Sequence, residues 1–268
     1  GPGEVLGATR AAGINIVDTL IVRDQYQTRP PRPFAPGAEL TGVVEAVGEN
    51  VTAWKPGDRV VGLPTWGALS EKIALPQERV FALPEGLGFE AAAGLLITYG
   101  TSLHALEQRA SLKPGETLLV LGAAGGAGLS AVELGKALGA RVVAAVSSEE
   151  KAAVARESGA DDVVIYPRPP FDKDAARALG AALKQACGPG GADVVYDAVG
   201  GEYAEPAFRA MGWGGRFLVI GFASGLASLP LNLPLLKSAD IRGVFFGAAL
   251  ERDPQAMAGV IADLFAMI

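Results

Sequence analysis

The spacing of apolar and polar positions changes character once along this chain, between residues 90 and 110. Before that point there is no helical periodicity, and Gly and Pro are dense. Short apolar runs predict strands at residues 14–18, 39–47, 59–62 and 70–75. Pro36-Gly37, Lys55-Pro56-Gly57-Asp58 and Pro84-Glu85-Gly86 predict the turns between them. Across 90–110 the apolar residues Ala91, Leu95, Tyr99, Leu103 and Leu106 fall at helical spacing, and the domain junction is placed inside that stretch. From Thr117 onward strands and helices alternate. Strands are predicted at 118–121, 141–146, 163–166, 193–197, 216–221 and 241–246, with helices over 129–138, 175–186, 204–211 and 257–268 and a surface loop at 167–170. Such alternation predicts a parallel sheet with helices on both faces, following an all-β region.

The first of these units carries the clearest chemistry. A buried strand runs into Gly122, Ala123, Ala124, Gly125, Gly126, Ala127 and Gly128, and a helix follows that presents Leu129, Val132, Leu134 and Leu138 inward and stops at Gly139. Glycines let the backbone approach a ligand closely, and the helix start offers free N–H groups at the positive end of its dipole. A pyrophosphate suits that place, so the pattern predicts dinucleotide binding. The bland alternative is an ordinary tight turn, with which the glycine spacing agrees poorly.

Composition narrows the rest. The chain has 268 residues, half of them hydrophobic, enough for two domains, and a net charge of −6. No basic stripe is present, which argues against nucleic acid as a main partner, and no apolar run reaches membrane-spanning length. One cysteine, Cys187, placed in a loop, allows no internal disulfide and fits a reducing, cytoplasmic setting. One histidine, His104, falls on a helix as a packed or surface residue. A catalytic zinc needs about three nitrogen, sulfur or carboxylate ligands and a structural one four thiolates, so no metal site is expected.

Several further runs carry a family resemblance. Ala12-Gly13-Ile14-Asn15 with Asp18, Pro33-Phe34-Ala35-Pro36-Gly37-Ala38-Glu39 with Gly42, and Val47-Gly48 with Gly57-Asp58-Arg59-Val60 resemble the zinc-independent medium-chain dehydrogenases/reductases. Pro114-Gly115-Glu116, the glycine turn, and residues 193–197 with Val199-Gly200-Gly201 extend the similarity over essentially the whole chain. Within that family it resembles the NADPH:quinone oxidoreductases, the zeta-crystallin-like group. Gln25-Tyr26-Gln27 and Thr98-Tyr99-Gly100-Thr101 look like its quinone oxidoreductase-like subset. The resemblance implies a GroES-like catalytic domain over 1–98, a Rossmann NADP-binding domain over 99–246, and the start of a return to the catalytic domain over 247–268. Family members carry a further strand before Gly1 and more catalytic domain after Ile268, so a piece of a longer protein is expected.

The resemblance also assigns roles. An NAD reader places an acid at the end of the second strand, and here Ser147 and Ser148 take that place. Lys151 and Tyr166 match the family's holders of the 2′-phosphate, with a solvated lysine and a strand-end tyrosine as the alternative; NADPH is therefore the expected cofactor. Glu149 and Glu150 read as acids complementing a helix start. Val199 and Gly221-Phe222-Ala223 are expected around the nicotinamide ribose, mostly through backbone. Asn15, Asp18, Tyr26 and Thr101 are the expected reacting-end residues, with Thr98 a weaker candidate. Asn15 either donates to a substrate carbonyl or stabilises a turn, and Asp18 holds its loop. Leu20 stands where related bacterial enzymes often have an aromatic. Trp66, Phe245 and Phe246 form either an aromatic wall or core.

No acid–base dyad is visible, so solvent protonation or a one-electron route is expected. The implied activity is NADPH-dependent reduction of a quinone or enone. The alternatives are an enoyl-thioester reductase and a non-catalytic NADPH-binding protein. A homodimer is expected through the apolar strand near Ile241 and Phe246.

Overall fold

β1 (Glu4–Gly13) is a strand that the apolar pattern does not announce, because its sequence EVLGATRAAG is short of the β-branched and aromatic residues that mark strands. Its place is set by two antiparallel neighbours instead. The computed structural model describes residues 1–268 and divides them into two units: Gly1–Gly100 with Gly247–Ile268, and Thr101–Phe246.

In the first unit β1 leads into α1 (Ile16–Val22). Residues 14–18 are therefore not a strand. Ile14 and Ile16 alternate as strand residues would, yet they are 74% and 66% exposed. The Asn15-x-x-Asp18 pattern, a helix-start signature, prevails: Asn15 is extended at the N-cap and its N–H donates to Asp18 Oδ2 at 2.7 Å. β2 (Glu39–Val47), β3 (Arg59–Gly62), β4 (Lys72–Pro76) and β5 (Val80–Ala82) follow. They complete an antiparallel sheet in the order β4-β1-β2-β3-β5. Val5, Leu40, Val44, Val60, Leu75 and Val80 form its core.

The single helix expected over 90–110 is instead three pieces. α2 (Phe89–Ala92) and α3 (Thr98–Leu103) are separated by a turn containing Gly94, and a π-helical turn over His104–Arg109 follows. His104 is packed rather than exposed: its ring bonds Gln108 Oε1 at 2.7 Å and lies 6.2 Å from Phe246. Burial holds it below the ordinary histidine range.

The second unit is a parallel sheet with its strands joined through helices. The elements are β6 (Thr117–Leu121), α4 (Gly126–Ala137), β7 (Arg141–Val146), α5 (Glu149–Glu157), β8 (Asp162–Ile165) and α6 (Lys173–Cys187). They continue as β9 (Ala192–Asp197), α7 (Ala204–Ala210), β10 (Met211–Val219), α8 (Asn232–Lys237) and β11 (Asp240–Gly243). The order is β11-β10-β9-β6-β7-β8, so the chain runs outward from β6 in one direction and from β9 in the other. That reversal defines a switch point between the carboxyl ends of β6 and β9, the place where such sheets bind ligands. Leu118, Leu119, Val120 and Leu121 are fully buried, as a strand covered on both faces requires. This is the Rossmann arrangement, and the antiparallel sheet is the GroES-like one.

Three expectations in this unit need correction. β10 begins at Met211, earlier than 216, because the glycines at 212, 214 and 215 form a register break inside the strand rather than a turn before it. The last strand is only Asp240–Gly243, and Phe246 opens α9 (Phe246–Arg252), where it is buried. Cys187 ends α6 rather than lying in a loop. Beyond α9, α10 (Pro254–Ala266) starts with Asp253 accepting the Ala256 N–H at 3.0 Å and Pro254 in the first turn. A fork of two hydrogen bonds from Arg216 to Glu116, 2.9 and 2.6 Å, ties β10 to the loop entering β6.

Candidate functional site

The glycine turn is held by backbone alone. As β6 ends, the N–H groups of Gly122 and Ala123 both donate to Ala145 O of β7, at 3.0 and 3.2 Å. Gly125 N–H closes back on Gly122 O at 2.9 Å, and Gly125 is the extended N-cap of α4. Gly128 is fixed by contact: a Cβ there would lie 2.1 Å from Gly122 O. The first turn of α4 keeps N–H groups with no intrahelical partner, and Gly125 and Gly126 are exposed while Ala124 and Ala127 are half-buried. The turn is braced from within by hydroxyls. Ser102 and Ser130 both donate to Ala127 O, at 3.1 and 2.9 Å, and Ser102 bonds the fully buried Tyr196 hydroxyl at 2.8 Å. Sequence reasoning does not single out any of these three, since a buried serine carries no local signature.

Neighbouring strand ends gather around the turn. A Cβ on Gly122 would meet Val199 Cγ2 at 2.9 Å. Asp197, buried at the end of β9, accepts the N–H groups of Val199 and Gly200 at 2.9 and 2.8 Å. Burial raises its carboxyl above the ordinary range while those bonds act against the rise. Gly221 N–H donates to Asp197 O at 3.2 Å, and Ser224 N–H to Val199 O at 2.7 Å. Val199, Gly221, Phe222 and Ala223 therefore sit together beside the glycine turn, with Phe222 and Ala223 exposed.

At the end of β7, Lys151 Nζ donates to Ser147 Oγ at 2.9 Å. Ser148 is engaged elsewhere, as the cap of α5, where it accepts the Lys151 N–H at 3.3 Å. Glu149 turns away to pair with Arg156 at 3.0 Å. Tyr166 follows β8, and its N–H donates to Val146 O at 2.9 Å, which sets it beside Ser147. Its ring packs on Tyr203 at 4.6 Å, and burial, with Tyr203 and Asp197 adding, pushes the phenol up to about 12. The phenol is thus a neutral donor at physiological pH. Ser147 and Lys151 are accessible, whereas Tyr166 is largely buried.

In the first unit, a second polar centre forms at the start of α1. Asn15 Nδ2 donates to Glu39 Oε1 at 2.7 Å, and Ile97 N–H donates to Glu39 Oε2 at 2.9 Å. Glu39 has no exposed surface, and Asp18 is 4% exposed. Burial raises both carboxyls above their ordinary range; the Asn15 and backbone bonds act against the rise, and for Glu39 the nearby Asp18 adds to it. Asp18 Oδ1 has no partner. Tyr26 is half-buried in the loop after α1, its phenol raised by burial. Thr98 and Thr101 lie half-buried on α3, with Thr98 Oγ1 donating to Gly94 O at 2.9 Å. Trp66 and Phe245 are 37% and 50% exposed, while Phe246 is core. Sequence reasoning passes over Glu39 as a site residue, although a carboxylate opening an apolar strand is the available signal.

Two family descriptions match the chain: an alcohol dehydrogenase GroES-like domain over residues 1–85 and a zinc-binding dehydrogenase over residues 126–264. Zinc itself does not fit. Among all residues no group of three or more His, Cys, Asp or Glu side chains could hold a metal ion, and Cys187 is a buried thiol pushed up to about 11, chiefly by burial. Quinone oxidoreductase-like protein 2 of Rattus norvegicus is 38% identical over 255 residues, covering 94% of this chain and 71% of the relative. The solved quinone oxidoreductase of Pseudomonas syringae pv. tomato superposes with a TM-score of 0.89 at 33% identity, over 100% of this chain and 80% of that one. The Escherichia coli quinone oxidoreductase, solved in complex with NADPH, gives a TM-score of 0.87 at 30% identity, over 100% and 80%. With this fold, this glycine turn and these relatives, the chain belongs to the quinone oxidoreductase family of medium-chain dehydrogenases/reductases.

Proposed function

We propose that this chain is an NADPH-dependent reductase of quinones or related enones that works without a metal. The observation that carries the reading is the pairing of the Gly122–Gly128 turn at the sheet's switch point with Ser147 and Lys151, in place of an acid, at the end of β7. The free N–H groups at Gly126, Ala127 and Gly128, with Gly125 as the N-cap of α4, suit a pyrophosphate. Ser147, Lys151 and the neutral Tyr166 phenol suit a 2′-phosphate, and Ser148 supports them by fixing the start of α5. Gly122 and Ala124 belong to the same turn, while Val199, Gly221, Phe222, Ala223 and Thr101 serve the nicotinamide end. NADPH, when bound, supplies the reducing equivalent as a hydride.

The chain's own residues bind, orient and exclude water. Asn15 offers a polar contact to the accepting oxygen, Tyr26 bounds the substrate, and Asp18 holds the Asn15 backbone. In this reading the reduction is completed by a proton from solvent or by a one-electron route. Much of the acceleration in such a site is positional.

Under this reading the protein is cytoplasmic, in keeping with its one buried, unpaired cysteine. It is also a homodimer through the edge strand β11, where Ile241 is 43% exposed and the preceding helix α8 leaves Leu235 and Leu236 at 76% and 63%. Light scattering of the full-length protein should report twice the monomer mass; a monomer overturns that part. Activity is tested with 1,4-benzoquinone, 9,10-phenanthrenequinone, an enone and crotonyl-CoA in parallel. Turnover of the quinones or enone supports the reading. Turnover of crotonyl-CoA alone moves the chain to the enoyl-thioester reductases, and binding of NADPH with no turnover makes it a non-catalytic binding protein.

A further inference from the structure

Glu39 is the most demanding residue in the first unit. It opens β2, has no exposed surface, and its partners are neutral N–H groups: the Asn15 carboxamide, Ile97 and the neighbouring Leu96 backbone. A carboxylate buried without a cation costs stability that an apolar side chain would not. The surrounding chain is also shaped to admit it. A Cβ on Gly13 would lie 2.5 Å from Glu39 Oε1 and 2.5 Å from Ala93 O, so glycine at 13 leaves the room in which the carboxyl reaches Asn15. The neighbouring carboxyl, Asp18, meanwhile grips the Asn15 backbone N–H at 2.7 Å. Asn15 is thus held at both its main chain and its side chain, from α1 and from β2.

A carboxamide has two ends of similar shape and opposite polarity. A carboxylate only accepts, so Glu39 selects the NH2 end, and one of the two Nδ2 hydrogens is consumed at 2.7 Å. The other remains for an oxygen outside the protein. We propose that Glu39 is a positioning residue for reduction: it fixes the Asn15 carboxamide so that Asn15 presents a hydrogen-bond donor, not an acceptor, to the oxygen of the hydride acceptor. The inference rests on the reductase reading above. Donors held in place before reaction stabilise charge developing on such an oxygen more than freely rotating ones do.

The test is a double-mutant cycle in the full-length protein: parent, Glu39→Gln, Asn15→Ala and the double variant. Each is assayed for kcat and KM with 1,4-benzoquinone, for NADPH affinity by cofactor fluorescence, and for Tm. The substituted carboxamide keeps the shape of Glu39 but cannot accept from both Asn15 and Ile97. Glu39→Gln is expected to lower kcat about tenfold or more in the parent and less than about twofold in the Asn15→Ala background, with NADPH affinity held within about twofold. Equal losses in both backgrounds, or a loss that follows NADPH affinity or Tm instead of kcat, overturn the proposal. Should Glu39→Gln not fold, Glu39→Asp, which keeps the charge but withdraws it from Asn15, replaces it in the same cycle with the same expected pattern. A parent that reduces no acceptor overturns the reductase reading together with this inference, whereas an active parent with an additive cycle overturns this inference alone.

Discussion

The two units hold their polar chemistry in opposite ways. In the second, the proposed anion seat is made of backbone: N–H groups exposed because side chains are missing, with Gly128 packed where a Cβ would sit 2.1 Å from Gly122 O. In the first, the polar centre is made of side chains, half-buried Asn15 with buried Asp18 and Glu39, whose carboxyls have no cationic partner. A backbone site tolerates changes around it but no added atom within it. A side-chain site is sensitive to any change of charge or shape.

The largest expected effect breaks the backbone site alone. Gly128→Val places branched carbon against Gly122 O and should weaken NADPH binding by more than about a hundredfold, read by cofactor fluorescence, because a well-packed turn has no way to relax. If NADPH affinity survives that substitution, the turn is not the cofactor's seat. A smaller effect sharpens the same side: Lys151→Ala removes the cation beside Ser147 and should raise the NADPH dissociation constant about tenfold, equivalent to about 1.4 kcal/mol, while leaving NADH unchanged. Equal losses for the two cofactors would remove Lys151 from the 2′-phosphate site.

Stability also depends on pH, and the sign differs between individual carboxyls. Asp18 and Glu39 are raised by burial, so the folded chain holds their protons more tightly than the unfolded chain. Their contribution to stability is present below the ordinary carboxylate pKa and is lost as pH rises through the raised folded values. Glu116 is opposite: burial acts to raise it, but the Arg216 hydrogen bonds and charge carry it below its ordinary value of 4.5. Its contribution is present above that value and is lost as pH falls through the folded one. Denaturant melts across acid pH should therefore show Asp18→Asn flattening the slope above the ordinary carboxylate pKa. Arg216→Ala should cost about 1–3 kcal/mol near neutrality, a gap that closes on acidification. A gap that widens as pH falls would contradict the assignment.

The same contrast explains what is legible in the chain. Backbone sites are written as glycine: residues 122–128 after an apolar run announce the turn, and alternating strands and helices announce the parallel sheet. The strand ends at Ser147, Val199 and Gly221 follow from that sheet once its order is known. The first unit is harder to read because its information is long-range. β1 is specified by its partners β2 and β4 rather than by its own residues. The Asn15-x-x-Asp18 cap competes with the strand-like alternation of Ile14 and Ile16, and the cap wins because both isoleucines face solvent. Glu39 is 24 residues from Asn15, and nothing local in a strand-opening glutamate says that a carboxamide and the Ile97 N–H will meet it.

The most direct measurement is kcat/KM for NADPH and for NADH, side by side, with the best quinone acceptor and the full-length protein. The expected result is turnover with NADPH at an efficiency at least about tenfold above NADH, the value of one well-placed phosphate contact. Preference for NADH would contradict the strand-end assignment of Ser147, Lys151 and Tyr166, and oxidation of neither cofactor would contradict the reductase itself.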